Sequence, residues 1–162
     1  MKETPHVLFV ALLLMLASVK LPAQGNSPQL NLFLSQDKLA VVQLDAKADI
    51  PAWAQGKNGF SSISRTPQEL SIVCAEDVVP QGVKVEAGWR VFKVEGPLDF
   101  SLTGILASIA TPLAKAGVSI FAISTYDTDY VLVKNEKVQD AMTALRAAGH
   151  TVKEEMRSGS ED

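Results

Sequence analysis

Cysteine and histidine are nearly missing from the 162 residues: Cys74, His6 and His150 are all there is. One cysteine excludes an intramolecular disulfide, and these three side chains are too few for a structural zinc site. Cys74 lies in the apolar run Leu70-Ser71-Ile72-Val73-Cys74-Ala75 and reads as a small core hydrophobe. His150 follows Gly149 and reads as an exposed residue at a helix end. Basic clusters are missing too. Fifteen Lys and Arg against eighteen Asp and Glu give a formal net charge of −3, which removes most of the electrostatic basis for nucleic-acid binding. No GxxxxGK[ST] or GxGxxG phosphate loop and no Ser/His/Asp set occurs, and no cofactor motif stands in their place. The chain therefore reads as a non-enzyme. Aromatics make up 6%, and Trp53 and Trp89 read as core anchors.

Apolar residues are well supplied. At 47% hydrophobic and 20% charged, the chain can bury a core of its own. Residues 1–30 stand apart. Val7 to Val19 is an uninterrupted apolar stretch between Lys2 and Lys20, with the length of a signal-peptide core and too short to span a bilayer comfortably. Cleavage after Ala23 is one reading, and an upstream start codon that adds leader to a cytoplasmic protein is the other. Gln24-Gly25-Asn26-Ser27-Pro28 then reads as a linker, and residues 154–162 as a charged tail.

Between these ends the periodicity changes twice. Leu32-Phe33-Leu34 and Leu39 to Leu44 flank Ser35-Gln36-Asp37-Lys38 and predict a hairpin. Pro51 opens a short helical turn, and Glu69 to Glu76 is a further strand. Trp89 to Glu95 alternates apolar with charged residues and predicts a half-exposed strand. Leu102, Ile105, Leu106, Ile109 and Leu113 recur at helical spacing, with Asp99 or Ser101 as the N-cap, Gly117 as the stop, and Pro112 expected to kink or break the last turn. Val118 to Thr125 and Tyr130 to Lys134 are strands. Asn135 is expected to cap a second helix carrying Val138, Ala141, Met142, Leu145 and Ala148, and His150 to Lys153 is a last strand. The order β-α-β-β-α-β predicts an α+β, ferredoxin-like fold with two helices on one face of an antiparallel sheet.

Three segments resemble the ACT domain family: Val94 to Phe100, Thr103 to Leu106 with Pro112-Leu113-Ala114, and Ile120 to Val133. The resemblance is to the amino-acid-sensing branch that includes the CASTOR arginine sensors and the aspartate kinase regulatory regions. It covers residues 88–153 as an ACT domain and, more weakly, 31–85 as a degenerate ACT-like half, in the manner of small bacterial two-ACT proteins. It implies an amino-acid ligand held by Asp99, Leu102, Thr103, Gly104 and Ile105 on one side and by Ser124, Thr125, Tyr126 and Asp129 on the other. The physical logic supports such a site, because a helix start offers unpaired N–H groups to an α-carboxylate and Asp129 a counter-charge to an amine. Leu102 stands where the CASTOR sensors carry an acidic residue, so the resemblance does not carry arginine over as the ligand.

The resulting expectation is a cytoplasmic, non-enzymatic amino-acid sensor, a homodimer acting on a regulated protein. The competing expectation is an association subunit whose pocket is vestigial, since ACT units pair as a family through sheet edges or helices. An ion site from Asp99, Asp127 and Asp129 matches no ion-loop spacing, so no metal is expected.

Overall fold

The structure, a computed structural model, describes residues 28–56 and 59–155. The expected apolar leader, residues 24–27 of the linker and residues 156–162 of the tail lie outside the described residues. The strands are β1 (Asn31–Leu34), β2 (Leu39–Leu44), β3 (Ser62–Arg65), β4 (Leu70–Ala75), β5 (Lys84–Val94), β6 (Phe121–Ser124), β7 (Asp129–Lys134) and β8 (Thr151–Glu154). The helices are α1 (Ile105–Lys115) and α2 (Val138–Ala147), with single 3-10 turns at Ala52–Ala54, Glu76–Val78 and Asn135–Lys137. The fold is α+β and ferredoxin-like, with β5-α1-β6-β7-α2-β8 in the expected order.

One sheet runs through the chain, and β5 is its spine. The N-terminal part of β5 continues the order β3-β4-β2-β5, while its C-terminal part lies between β1 and β7, and β6 closes the far side. Apart from β1, which lies between β5 and β8, the first half has the strand order of the second, with 3-10 turns where the second has helices. Between Leu39↔Trp89 and Val41↔Glu86 the register slips by one residue on β5. Gly88, at φ 76, supplies the left-handed backbone of this bulge.

The expected hairpin is not formed. β1 and β2 lie end to end along the same side of β5, with Leu34 opposite Phe92 and Leu39 opposite Trp89. Residues 35–38 continue the chain instead of reversing it, because Ser35 N–H donates to the Val91 carbonyl (3.0 Å) and the Arg90 guanidinium holds the Ser35 carbonyl (2.7 Å). β1 is inserted between β5 and β8 and runs parallel to β8.

The main core fills the space between this sheet and the helices. Leu32, Leu34, Phe92, Val94, Val131 and Val133 pack on Ile109 and Leu113 of α1 and on Val138, Ala141, Met142 and Leu145 of α2. Ala148, expected on the same face of α2, is exposed. β5 is also less exposed than its alternation suggests. Val91 points to the opposite face and is buried with Leu39, Val73 and Leu132, because the first half of the chain covers that face. Trp53 packs half-buried against a third cluster around Val42, Leu70, Ile72 and Cys74. Cys74 is buried, and burial pushes its thiol up, with the Asp77 charge adding to the effect.

Helix starts differ from expectation. The Asp99 carboxylate accepts the Ser101 N–H at 2.7 Å and the Asp99 carbonyl accepts Leu102 N–H at 3.0 Å, so the chain turns over residues 99–102. α1 begins only after Gly104, whose φ of 82 terminates the turn, and Leu102 lies outside the helix. Asn135 does not cap α2 by its side chain; it accepts from Arg90. Pro112 leaves α1 unbroken through Lys115, and His150 is buried.

Candidate ligand site

Two segments meet at the end of the sheet. β5 leads into the loop of residues 95–104, and β6 turns into β7 over residues 125–128. The turn is closed by Thr125 N–H and Oγ1, which both donate to the Thr128 carbonyl (2.9 and 2.8 Å). It is docked to the loop by Leu98 N–H, which donates to the Asp127 carbonyl at 2.7 Å.

Between these segments and the first turn of α1 lies an open cavity of about 350 Å³, toward the small end of the roughly 300–1,000 Å³ usual for small-molecule sites. Of the expected site residues, Asp99, Leu102, Gly104, Ile105, Ser124, Thr125, Tyr126 and Asp129 line it, and Thr103 does not. Leu98, Phe100, Leu106, Ala107, Asp127 and Thr128 line it as well. Helical spacing places Leu106 with the core face of the helix, and only the folded turn brings Asp127 and Thr128 to the loop.

The chemistry of the walls is uneven. α1 has no side-chain cap, and its first intrahelical bond is Ser108 N–H to the Gly104 carbonyl at 2.8 Å. The amides of Ile105, Leu106 and Ala107 therefore have no partner within the helix, and these residues line the cavity. Opposite stands Asp129, the first residue of β7, whose carboxylate accepts a hydrogen bond from the Ser124 hydroxyl across the strand pair. Asp99 is held below the usual carboxylate range by the Ser101 hydroxyl and amide. The lining holds three aspartates and no Lys, Arg or His. Around the mouth, Phe100 (76% exposed), Leu102 (52%) and Tyr126 (80%) form an apolar lip, the two rings meeting edge to face at 5.1 Å.

Such an arrangement can hold a zwitterion between a partial positive pole and a carboxylate. Among the described residues, no group of three or more His, Cys, Asp or Glu is placed to hold a metal ion. No described helix is long and apolar enough to cross a membrane.

The chain matches known proteins and family models. The ACT domain family model matches residues 84–147, and a model of an N-terminal domain matches residues 37–82. A crystal structure of a protein from Agobacterium tumefaciens is 42% identical, with a TM-score of 0.76, covering 80% of this chain and 96% of that one. The human cytosolic arginine sensor for mTORC1 subunit 1 is 39% identical over 59 residues, 36% of this chain and 18% of the sensor. The chain thus spans about a fifth of the length of that relative. The ligand-free regulatory subunit of aspartate kinase from Thermus thermophilus shares the fold, at 13% identity and a TM-score of 0.52, covering 75% of this chain and 98% of that one. Residues 84–147 of the chain thus belong to the ACT domain family.

Proposed function

We propose that the chain is a non-enzymatic regulatory module that binds a free amino acid. One observation carries the reading: the uncapped start of α1 and the Ser124–Asp129 pair face each other across a single cavity. The α-carboxylate sits on the amides of Ile105 to Ala107, and the α-amino group pairs with Asp129. The side chain then lies toward Leu102, Phe100 and Tyr126. The likeness to a cytosolic arginine sensor supports a sensing role and a cytoplasmic location. A cavity without a histidine, a reactive thiol or a metal-ligand cluster supports binding without turnover.

A thermal-shift screen of the twenty amino acids tests this. A ligand present at about 100 times its dissociation constant stabilises the fold by roughly 2.7 kcal/mol. No shift with any of them, on folded protein freed of carried-over ligand, overturns the reading.

The exposed lip of Phe100, Leu102 and Tyr126 favours a second reading, association through this face, with the chain as a homodimer or as a subunit of a regulated protein. Sedimentation of the apo protein separates the two. Association that Tyr126→Asp abolishes, on a chain that binds no amino acid, would put the second reading in place of the first.

A further inference from the structure

Resting on the amino-acid-binding reading, we propose that Gly96 and Thr128 are positioning residues: they clasp the two walls of the cavity together and so set its ability to hold a ligand. Gly96 does not line the cavity; it stands behind the wall, against the turn. A Cβ at position 96 would lie 2.8 Å from the Asp127 carbonyl oxygen and 3.1 Å from Thr128 Cβ. The first of these is a backbone atom, which no rotamer change can move aside. It is also the acceptor of Leu98 N–H at 2.7 Å, so any side chain at 96 pushes directly on the bond that joins loop to turn.

Thr128 makes the second half of the clasp. Its side chain is buried (5% exposed), and its Oγ1 donates to the carbonyl of Val94, the last residue of β5, at 2.7 Å. The wall carrying Leu98, Asp99 and Phe100 and the wall carrying Thr125 to Asp129 are thus tied by hydrogen bonds on both sides of Gly96. On the outer side of the turn lies another cavity of about 400 Å³, which Gly96, Lys93 and Tyr130 help to line. The turn therefore borders open space as well as the ligand cavity, and the two hydrogen bonds, with the close fit of Gly96 against it, tie it to the loop. A ligand that touches both walls gains from finding their separation already fixed, because it does not bear the ordering cost itself.

The test compares Thr128→Val, Thr128→Ser and Gly96→Ala with the wild type by calorimetric titration, the probe being the amino acid that gives the largest thermal shift among the twenty. Thr128→Val keeps the shape and removes the donor, whereas Thr128→Ser keeps the hydroxyl. Thr128→Val and Gly96→Ala are expected to weaken binding about tenfold or more, and Thr128→Ser to retain most of it. Exchange of the Leu98 amide should accelerate in the two weakened variants while that of Val131 in β7 stays slow, a pattern that general loss of stability does not produce. Wild-type affinity in Thr128→Val, or equal losses in Thr128→Val and Thr128→Ser, overturns the positioning role alone. If Gly96→Ala does not fold, the Thr128 pair decides. A wild type that binds none of the twenty overturns the reading of the site, and the positioning role with it.

Discussion

His150 Nε2 lies 3.0 Å from the Ser108 carbonyl, the acceptor that Pro112, lacking an N–H, leaves without its donor inside α1. The other ring nitrogen, Nδ1, accepts Leu30 N–H at 3.2 Å. The pair of contacts assigns the neutral tautomer with its proton on Nε2. One buried imidazole thus closes a gap in α1 and fixes the chain just before β1. This is how the helix tolerates its proline without a break.

His150→Leu leaves the buried Ser108 carbonyl and the half-buried Leu30 N–H unpaired, at a cost of about 1–3 kcal/mol for the carbonyl and less for the amide. Pro112→Ala restores a donor for the Ser108 carbonyl, so the loss caused by His150→Leu should be smaller in the Pro112→Ala background. Urea unfolding of the four proteins in this cycle measures the coupling, expected at about 1 kcal/mol. Strict additivity would show that His150 and Pro112 do not share the carbonyl.

Gly88 offers a test of the spine strand. A Cβ there meets nothing within 4 Å, so Gly88→Ala costs nothing in packing, yet its φ of 76 belongs to the left-handed region. The expected loss is about 1–2 kcal/mol, all of it from the backbone. Gly56→Ala is the control, since position 56 is equally open and carries no such φ. Equal unfolding midpoints for the two variants would mean that the bulge in β5 relaxes freely.

The second half of the fold was legible because its signals are local. Ile109 and Leu113, and Ala141, Met142 and Leu145, announce their helices by spacing, and Gly117 and Gly149, both at positive φ, mark where they end. The first half misled where partners are distant. Ser35 to Lys38 has turn-like composition, but the pairing of β1 with β5 and β8 is settled by residues about sixty and one hundred and twenty positions away. His150 was misread for the same reason: the carbonyl it serves is orphaned by a proline in another element. At the site, the expected residues came largely from the family resemblance, which cannot weigh the Asp99 turn that displaces Leu102 from the helix.

Asp99 carries a pH prediction. The Ser101 hydroxyl and amide favour its charged form, so its folded pKa is lowered. The stability it contributes is present above the unfolded value of about 3.9 and is lost as pH falls through the lower folded value. A carbon-detected titration of the Asp99 carboxyl should have its midpoint below the ordinary range, and Ser101→Ala should move it up. An unmoved midpoint in Ser101→Ala would remove the hydroxyl as the leading cause.

Asp129 is the one carboxylate of the lining that stands in a strand and accepts from a neighbouring hydroxyl, Ser124. If it pairs with an α-amino group, Asp129→Asn keeps the shape and loses the charge-assisted bond, worth about 1.5–3 kcal/mol. Binding of the best amino acid should weaken roughly ten- to a hundredfold, with little change in the unfolding midpoint of the unliganded chain. Wild-type affinity in Asp129→Asn would place the amine elsewhere.

Leu102 is 52% exposed on the lip of the cavity, where the side chain of a bound amino acid would lie. As an apolar residue it offers no counter-charge to a guanidinium or ammonium group, and Leu102→Glu would supply one. Ion pairs at exposed positions are worth only about 0–1 kcal/mol, so the expected gain for arginine or lysine over leucine or methionine is at most about fivefold. Ranking the twenty amino acids by thermal shift on both proteins measures it. The prediction is a change of order, with the cationic amino acids rising in Leu102→Glu and the large apolar ones falling. An unchanged order would show that the ligand's side chain does not reach position 102, and that the site's selectivity is set on the Tyr126 side.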